Sequence, residues 1–127
     1  GEMLSVITKY SSRVNKRCIA MPNTSTPITT SIEAVNYKKL IEDNSDNDNF
    51  EALIPCYLTD SLNIADFEYA LQNNIFIGGK LYPNNSTTNS QFGVNNIKKI
   101  YNKKIYILFY ILLFIFIYTL EDLKRRF

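Results

Sequence analysis

Apolar residues gather in separate clusters along the chain, and the longest cluster dominates it. Residues 105–120 read IYILFYILLFIFIYTL, and Thr119 is the only side chain among them that is neither aliphatic nor aromatic. A hydrocarbon core of about 30 Å needs roughly 20 apolar residues at a helical rise of about 1.5 Å. This run holds sixteen, and Lys103 and Lys104 before it with Lys124, Arg125 and Arg126 after it can snorkel to make up the difference. The pattern predicts a C-terminal hydrophobic helix acting as a membrane anchor. A continuous apolar run does not set its own period, so a buried core helix or strand is the alternative. A third reading takes residues 97–127 as translated non-coding DNA, because the chain is crowded with Ile, Asn, Lys, Tyr and Phe and has no Trp and no His.

Two shorter clusters have helical spacing. Ile32, Val35, Leu40 and Ile41 fall on one side of a helix running to about Asp43, and Thr30 with Glu33 three residues later forms a capping box at its start. Ile64, Phe67, Ala70 and Leu71 line a second helix, capped by Asn63 and Asp66 and ending at Asn73 and Asn74. Between them, residues 50–58 (FEALIPCYL) are apolar but interrupted by Pro55, which argues against a continuous helix and for a single helical turn or a packed loop. Residues 43–49 (DNSDNDN) predict a solvated loop. A calcium loop starting at Asp43 would need Gly where Asp48 stands and Glu where Ile54 stands.

The N-terminal residues are read from their composition. Residues 3–20 carry Lys9, Arg13, Lys16 and Arg17 among several hydroxyl side chains and no acid, a composition shared by organelle transit peptides and by solvated tails. The chain begins Gly1-Glu2, as a fragment or a cloning remnant would. Residues 21–30 (MPNTSTPITT) read as a linker. No long apolar stretch near the start suggests a secretory signal, so the sequons at Asn23, Asn84 and Asn85 carry little weight.

Composition narrows the chemistry. The formal charge is +2 over 127 residues, enough for one small domain with appendages. The basic residues 98–104 abut the apolar run, so attraction to anionic lipid accounts for them better than nucleic-acid binding. Cys18 and Cys56 are too few for a disulfide framework and read as reduced thiols. Without His, Ser-His or Cys-His nucleophilic catalysis and His-containing metal sites are excluded. Gly78-Gly79-Lys80 lacks the spacing of a phosphate-binding loop and reads as a turn. Asp60, Asp66 and Glu68 could pair for acid-base work, but Asp66 has a simpler use as a cap.

The run DFEYALQNNIFIGGKLYP, residues 66–83, resembles a motif in the helical domain of glutathione-transferase-like proteins, and most of all the N-terminal domain of the beta and delta subunits of eukaryotic elongation factor 1. Leu71, Phe76, Ile77, Gly78, Gly79 and Pro83 occupy that motif's places in order. Three residues rather than two separate Gly79 from Pro83, and Asn84 and Thr87 stand where the family has its capping pair. The resemblance spans about residues 62–94 and implies a further helix over about residues 85–93. It also implies a non-catalytic docking module whose partner is an elongation factor 1 gamma-like subunit.

The fold class expected from the sequence is therefore mainly α: a disordered tail over residues 1–30, a small glutathione-transferase-C-terminal-like helical module over 31–96, and a basic-flanked hydrophobic helix over 97–127. The expected function is a protein-interaction module without cofactor, metal, catalytic residue or nucleic-acid contact, cytoplasmic and held to membrane lipid by its C-terminus. The alternative is a single-pass tail-anchored membrane protein with a cytosolic N-terminal part.

Overall fold

Residues 50–58, expected as a turn or loop, form the spine of the molecule. The computed structural model describes residues 2–86 and 88–101, with elements in the order α1 (Glu2–Val14), β1 (Arg17–Ile19), α2 (Ser31–Glu42), β2 (Glu51–Leu53), β3 (Cys56–Tyr57), α3 (Ile64–Gln72), β4 (Gly79–Lys80) and α4 (Ile97–Tyr101). β1 pairs parallel with β2, setting Arg17, Cys18 and Ile19 opposite Glu51, Ala52 and Leu53. β3 pairs parallel with β4, setting Cys56 and Tyr57 opposite Gly79 and Lys80. Residues 51–58 thus bond to β1 on one edge and β4 on the other. α2 makes the crossover from β1 to β2, and α3 the crossover from β3 to β4.

This is an α/β arrangement of two successive βαβ units, and it replaces the mainly α expectation. The physical reason lies in the central segment. A parallel strand covered on both faces reads as a nearly continuous apolar run rather than an alternating one, so its period was hidden. Ala52, Ile54, Cys56 and Leu58, each at most 1% exposed, face a single core shared with Ala34 and Ile41 of α2, Phe67 and Ala70 of α3, and Phe76. Pro55 interrupts the ladder only where the chain after β1 is already departing. The last bond to β1's continuation is from Ala20 N–H to the Leu53 carbonyl (3.0 Å), and the next donor on that edge, Tyr57 N–H, reaches the Ile28 carbonyl (2.8 Å). A residue without an N–H is tolerated at such a gap.

The N-terminal segment is likewise corrected: residues 2–14 form a helix and 17–19 a strand, not a disordered tail. The inner side of α1 is tied to the 43–49 loop, where Asp46 N–H donates to Ser12 Oγ (3.3 Å), Asn47 Nδ2 donates to the Ser12 carbonyl (3.2 Å) and the Arg13 guanidinium meets Asp46 at 2.8 Å. Among the described residues of 85–93 the expected helix does not form. That stretch is a compact loop closed by a bridge between Pro83 and Val94, with Asn85 and Asn89 in the left-handed region (φ 56° and 55°), a conformation that ends helices rather than propagating them. Residues 105–120 and the flanking Lys103, Lys104, Lys124, Arg125 and Arg126 lie outside the described residues. Among the described residues, no helix is long and apolar enough to cross a membrane.

Both predicted caps are present. The Thr30 side chain accepts from Glu33 N–H, and the Glu33 carboxylate accepts from Thr30 N–H (2.9 Å) and Thr29 N–H (2.8 Å). Asn63 caps α3. Asp66 does more than cap, because its carboxylate receives Ser31 N–H (2.8 Å) and the Ser31 hydroxyl, fastening the start of α2 to α3. Burial acts to raise the Glu33 pKa, but the hydrogen bonds from Thr29 and Thr30 outweigh it and hold the carboxyl below its ordinary 4.5. A carboxyl depressed by folding contributes stability that is complete above its unfolded pKa and is lost as pH falls through the folded one. Glu33→Gln is therefore expected to cost about 1 kcal/mol at neutral pH and progressively less in acid. Urea titrations at pH 7 and pH 3 measure this, and an equal deficit at both would show that charge plays no part.

Candidate functional site

In sheets of parallel strands, ligands bind beyond the carboxyl ends, where connecting loops converge. Here the strand ends carry the loop after β1, residues 20–30, and the loop after β4, residues 81–96. The central strand brings Tyr57 to the face opposite the helices, and its register partner Lys80 stands beside it. Two residues further on, Tyr82 lies over Tyr57 with ring centroids 5.0 Å apart and planes 22° apart. The Lys80 ammonium lies 5.8 Å from the Tyr82 ring centroid.

Hydrogen bonds lock the two loops together around this stack. Tyr82 donates its hydroxyl to Asn23 Oδ1 (3.0 Å), Asn23 Nδ2 donates to the Thr88 carbonyl (3.1 Å), and Asn89 Nδ2 donates to the Asn23 carbonyl (2.9 Å). Tyr57 donates its hydroxyl to the Asn89 carbonyl (3.2 Å). Burial pushes both phenols above their ordinary pKa, and for Tyr82 the neighbouring Tyr57 adds to the shift. Both therefore stay neutral and serve as donors. Tyr82→Phe keeps the stacked ring and removes one donor, so a loss of about 1 kcal/mol is expected. Chemical denaturation checks it, and an unchanged midpoint would mean that the hydroxyl does not hold Asn23.

Lys80 is half-buried, and among the described residues it forms no salt bridge, its ammonium lying instead beside the Tyr82 ring. An ammonium with three donors beside two neutral rings can receive a carbonyl oxygen or an anionic group from a ring-sized ligand. The other titratable candidates serve the fold. Asp66 binds Ser31, and Asp60 accepts from Asn96 N–H (3.4 Å) and Asn95 Nδ2 (3.3 Å). Cys18 and Cys56 are free thiols. Burial, with Asp66 and Glu33 nearby, pushes the Cys56 thiol up and keeps it unreactive.

The residues singled out from the sequence as a structural motif build the approach to this site. Leu71 is half-buried on α3, and Phe76 packs in the core at 6.0 Å from Phe67. Ile77 N–H donates to the Ile54 carbonyl (3.0 Å), and the Gly78 carbonyl accepts from Cys56 N–H (2.8 Å). At Gly79 a Cβ would stand 2.8 Å from Leu58 Cδ2, and Pro83 pairs with Val94. Together they turn the chain out of α3 into β4 and deliver Lys80. Sequence reasoning missed Asn23, Tyr57, Lys80, Tyr82 and Asn89, treating Asn23 as a sequon and Lys80 as part of a turn. The signal lay in residues 75–80, an Ile-Phe-Ile run that is a strand approach rather than a helix-to-helix loop.

A crystal structure of dihydroorotase from Saccharomyces cerevisiae, in complex with 5-fluoroorotic acid, superposes with a TM-score of 0.70 at 30% identity, covering 80% of this chain and 28% of that one. Curated dihydroorotases are similar in sequence. That of Photorhabdus laumondii is 43% identical over 102 residues, that of Cronobacter sakazakii 41% over 101, and that of Buchnera aphidicola 36% over 103. Each alignment covers about four fifths of this chain. The chain spans only 29 to 30% of the length of these relatives, and no protein-family model matches it.

These findings overturn the elongation-factor resemblance and the translation role drawn from it, because the similarity runs through four fifths of the chain to one enzyme and shows no elongation-factor relationship. The expectation of a non-catalytic module falls with it, while the anchor expected over residues 105–120 lies outside the described residues. Dihydroorotase is a metal-dependent hydrolase. Among the described residues no three His, Cys, Asp or Glu side chains gather to hold an ion, and the chain has no His. These residues alone do not fit a metal centre.

Proposed function

We propose that this chain is a segment of a dihydroorotase-type hydrolase of pyrimidine biosynthesis, contributing part of the ligand-facing wall at the strand ends. The observation that carries the reading is the placement of Lys80: a cation at the end of β4 with no ion-pair partner among the described residues, beside the Tyr57–Tyr82 stack, in a fold that superposes on a dihydroorotase. In this reading Lys80 meets a carbonyl or acid group of the ring substrate. Tyr57, Tyr82 and Asn89 fix Asn23 and the two loops so that the wall keeps its shape.

The test is a graft. Residues 1–101 replace the matched segment of the Photorhabdus laumondii enzyme, and hydrolysis of dihydroorotate is measured. Activity within about tenfold of the parent, roughly 1.4 kcal/mol in the barrier, supports the reading. A graft that folds like the parent by circular dichroism but has no activity overturns it.

A further inference from the structure

A surface helix usually buries its apolar stripe and leaves the polar side to water. α2 divides its residues otherwise. Ala34 and Ile41 meet the core, whereas Ile32, Val35 and Leu40 stand on the outer side at 73%, 50% and 48% exposed. Asn36 and Lys39 are exposed among them. Single apolar residues scattered over a surface are ordinary, but Ile32, Asn36 and Leu40 follow one another four residues apart and so share one ridge of the helix. The Asn36 side-chain amide has no hydrogen-bond partner among the described residues.

This ridge is complementary to itself. Ile32 and Leu40 stand four residues to either side of Asn36, and Glu33 and Lys39 three residues to either side. A second α2 laid antiparallel across the first, with the two Asn36 residues opposed, sets Ile32 against Leu40 and Glu33 against Lys39 at both ends. Both charged groups can accept such a partner. The three hydrogen bonds that Glu33 receives from Thr29 and Thr30 all end on Oε2, leaving Oε1 without a partner among the described residues. Lys39 has an exposed contact with Asp43 at 3.6 Å, a kind of pair that contributes little. Opposed amides can donate to and accept from each other, and an Asn between two helices fixes their register.

From this we propose that the Ile32–Asn36–Leu40 ridge of α2 docks a second copy of this chain in an antiparallel, twofold-symmetric α2–α2 contact. Pairing of one patch with itself is the commonest way in which soluble chains associate. α2 has 12 residues, about 18 Å of helix. That is too short to supply the roughly 800 Å² per partner of a permanent interface, so the pair forms and separates with concentration. None of these residues belongs to the strand-end site, and the proposal stands or falls apart from the dihydroorotase reading.

The test oxidises the full chain carrying Asn36→Cys at rising protein concentration and maps the disulfides by mass spectrometry. Position 36 lies on the twofold axis, where two thiols come within bridging distance. A dimer bridged from position 36 to position 36 is expected, in a fraction that grows with concentration. Adding Ile32→Glu should reduce that fraction at least tenfold and Lys39→Glu at least threefold, with circular dichroism unchanged because both side chains are exposed. Gln91→Cys, exposed on the loop after β4, should bridge less than a tenth as much. Equal bridging from Gln91→Cys, bridges from position 36 to Cys18 or Cys56 alone, or a fraction untouched by Ile32→Glu would each overturn the proposal. So would a photo-crosslinking amino acid at position 36 that captures only residues 105–120, because the chain's own apolar run would then be the occupant.

Discussion

In the active graft, Lys80→Met is expected to lower kcat/KM by about a hundredfold or more, the loss typical when one preorganised donor is removed from a reacting site. The methionine stem preserves the apolar contact along the side chain, and Lys80 has no ion-pair partner among the described residues. The substitution therefore strands no buried charge, and circular dichroism should not change. Lys80→Arg separates charge from geometry. Its guanidinium is longer and planar and presents its donors in a fixed fork, so it should recover little of the activity. If Lys80→Met stayed within about threefold of the parent, well under 1 kcal/mol, Lys80 would be a bystander and the proposed wall would lose its ligand-facing group.

Gly93→Ala should be the most damaging small substitution in the described chain. A Cβ there would stand 2.3 Å from the Tyr82 carbonyl oxygen, 2.9 Å from the Ser90 carbonyl oxygen and 3.1 Å from Asn84 N. All three are backbone atoms, so no side chain can turn aside. The loop must open, and it is the bonds at this point, Val94 N–H to Tyr82 O (2.7 Å) and Asn84 N–H to Val94 O (3.1 Å), that close it. The cost is expected at about 3 kcal/mol or more, the upper end for overpacking. It should fall on Tyr82 and hence on Asn23. Thermal melting of the graft measures the stability, and tyrosine fluorescence reports the stack. A Gly93→Ala variant as stable as its parent would show that the loop closes some other way.

The boundary between what could be read and what could not follows the range of the forces involved. Helices α2 and α3 were legible because their signals are local. Thr30 and Glu33 lie three residues apart and satisfy each other, and Asn63 caps its own helix, so neither needs the rest of the protein. Residues 50–58 were not legible as strand. Their partners, 17–19 and 79–80, are distant in sequence, and a strand buried on both faces carries no alternation to betray it. α1 was missed because its basic, hydroxyl-rich composition matches that of a solvated tail, although Met3, Ile7, Tyr10 and Val14 stand at helical spacing.

The candidate site was less visible still. Asn23, Tyr57, Lys80, Tyr82 and Asn89 span 67 residues of sequence, and no two stand at a spacing that carries chemistry. The short Gly-Gly likeness to another family was a resemblance between two ways of leaving a helix, and it could not tell a helix ahead from a strand. What the sequence settled alone was the caps and the existence of α2 and α3; the apolar face expected on α2 is not the buried one, since Ile32, Val35 and Leu40 are 73%, 50% and 48% exposed and Ala34 and Ile41 meet the core instead. Parallel pairing brought the phenols, the amides and the Lys80 ammonium to the same end of a sheet, and only the folded chain could decide that, because register is set by contacts between segments and not within them.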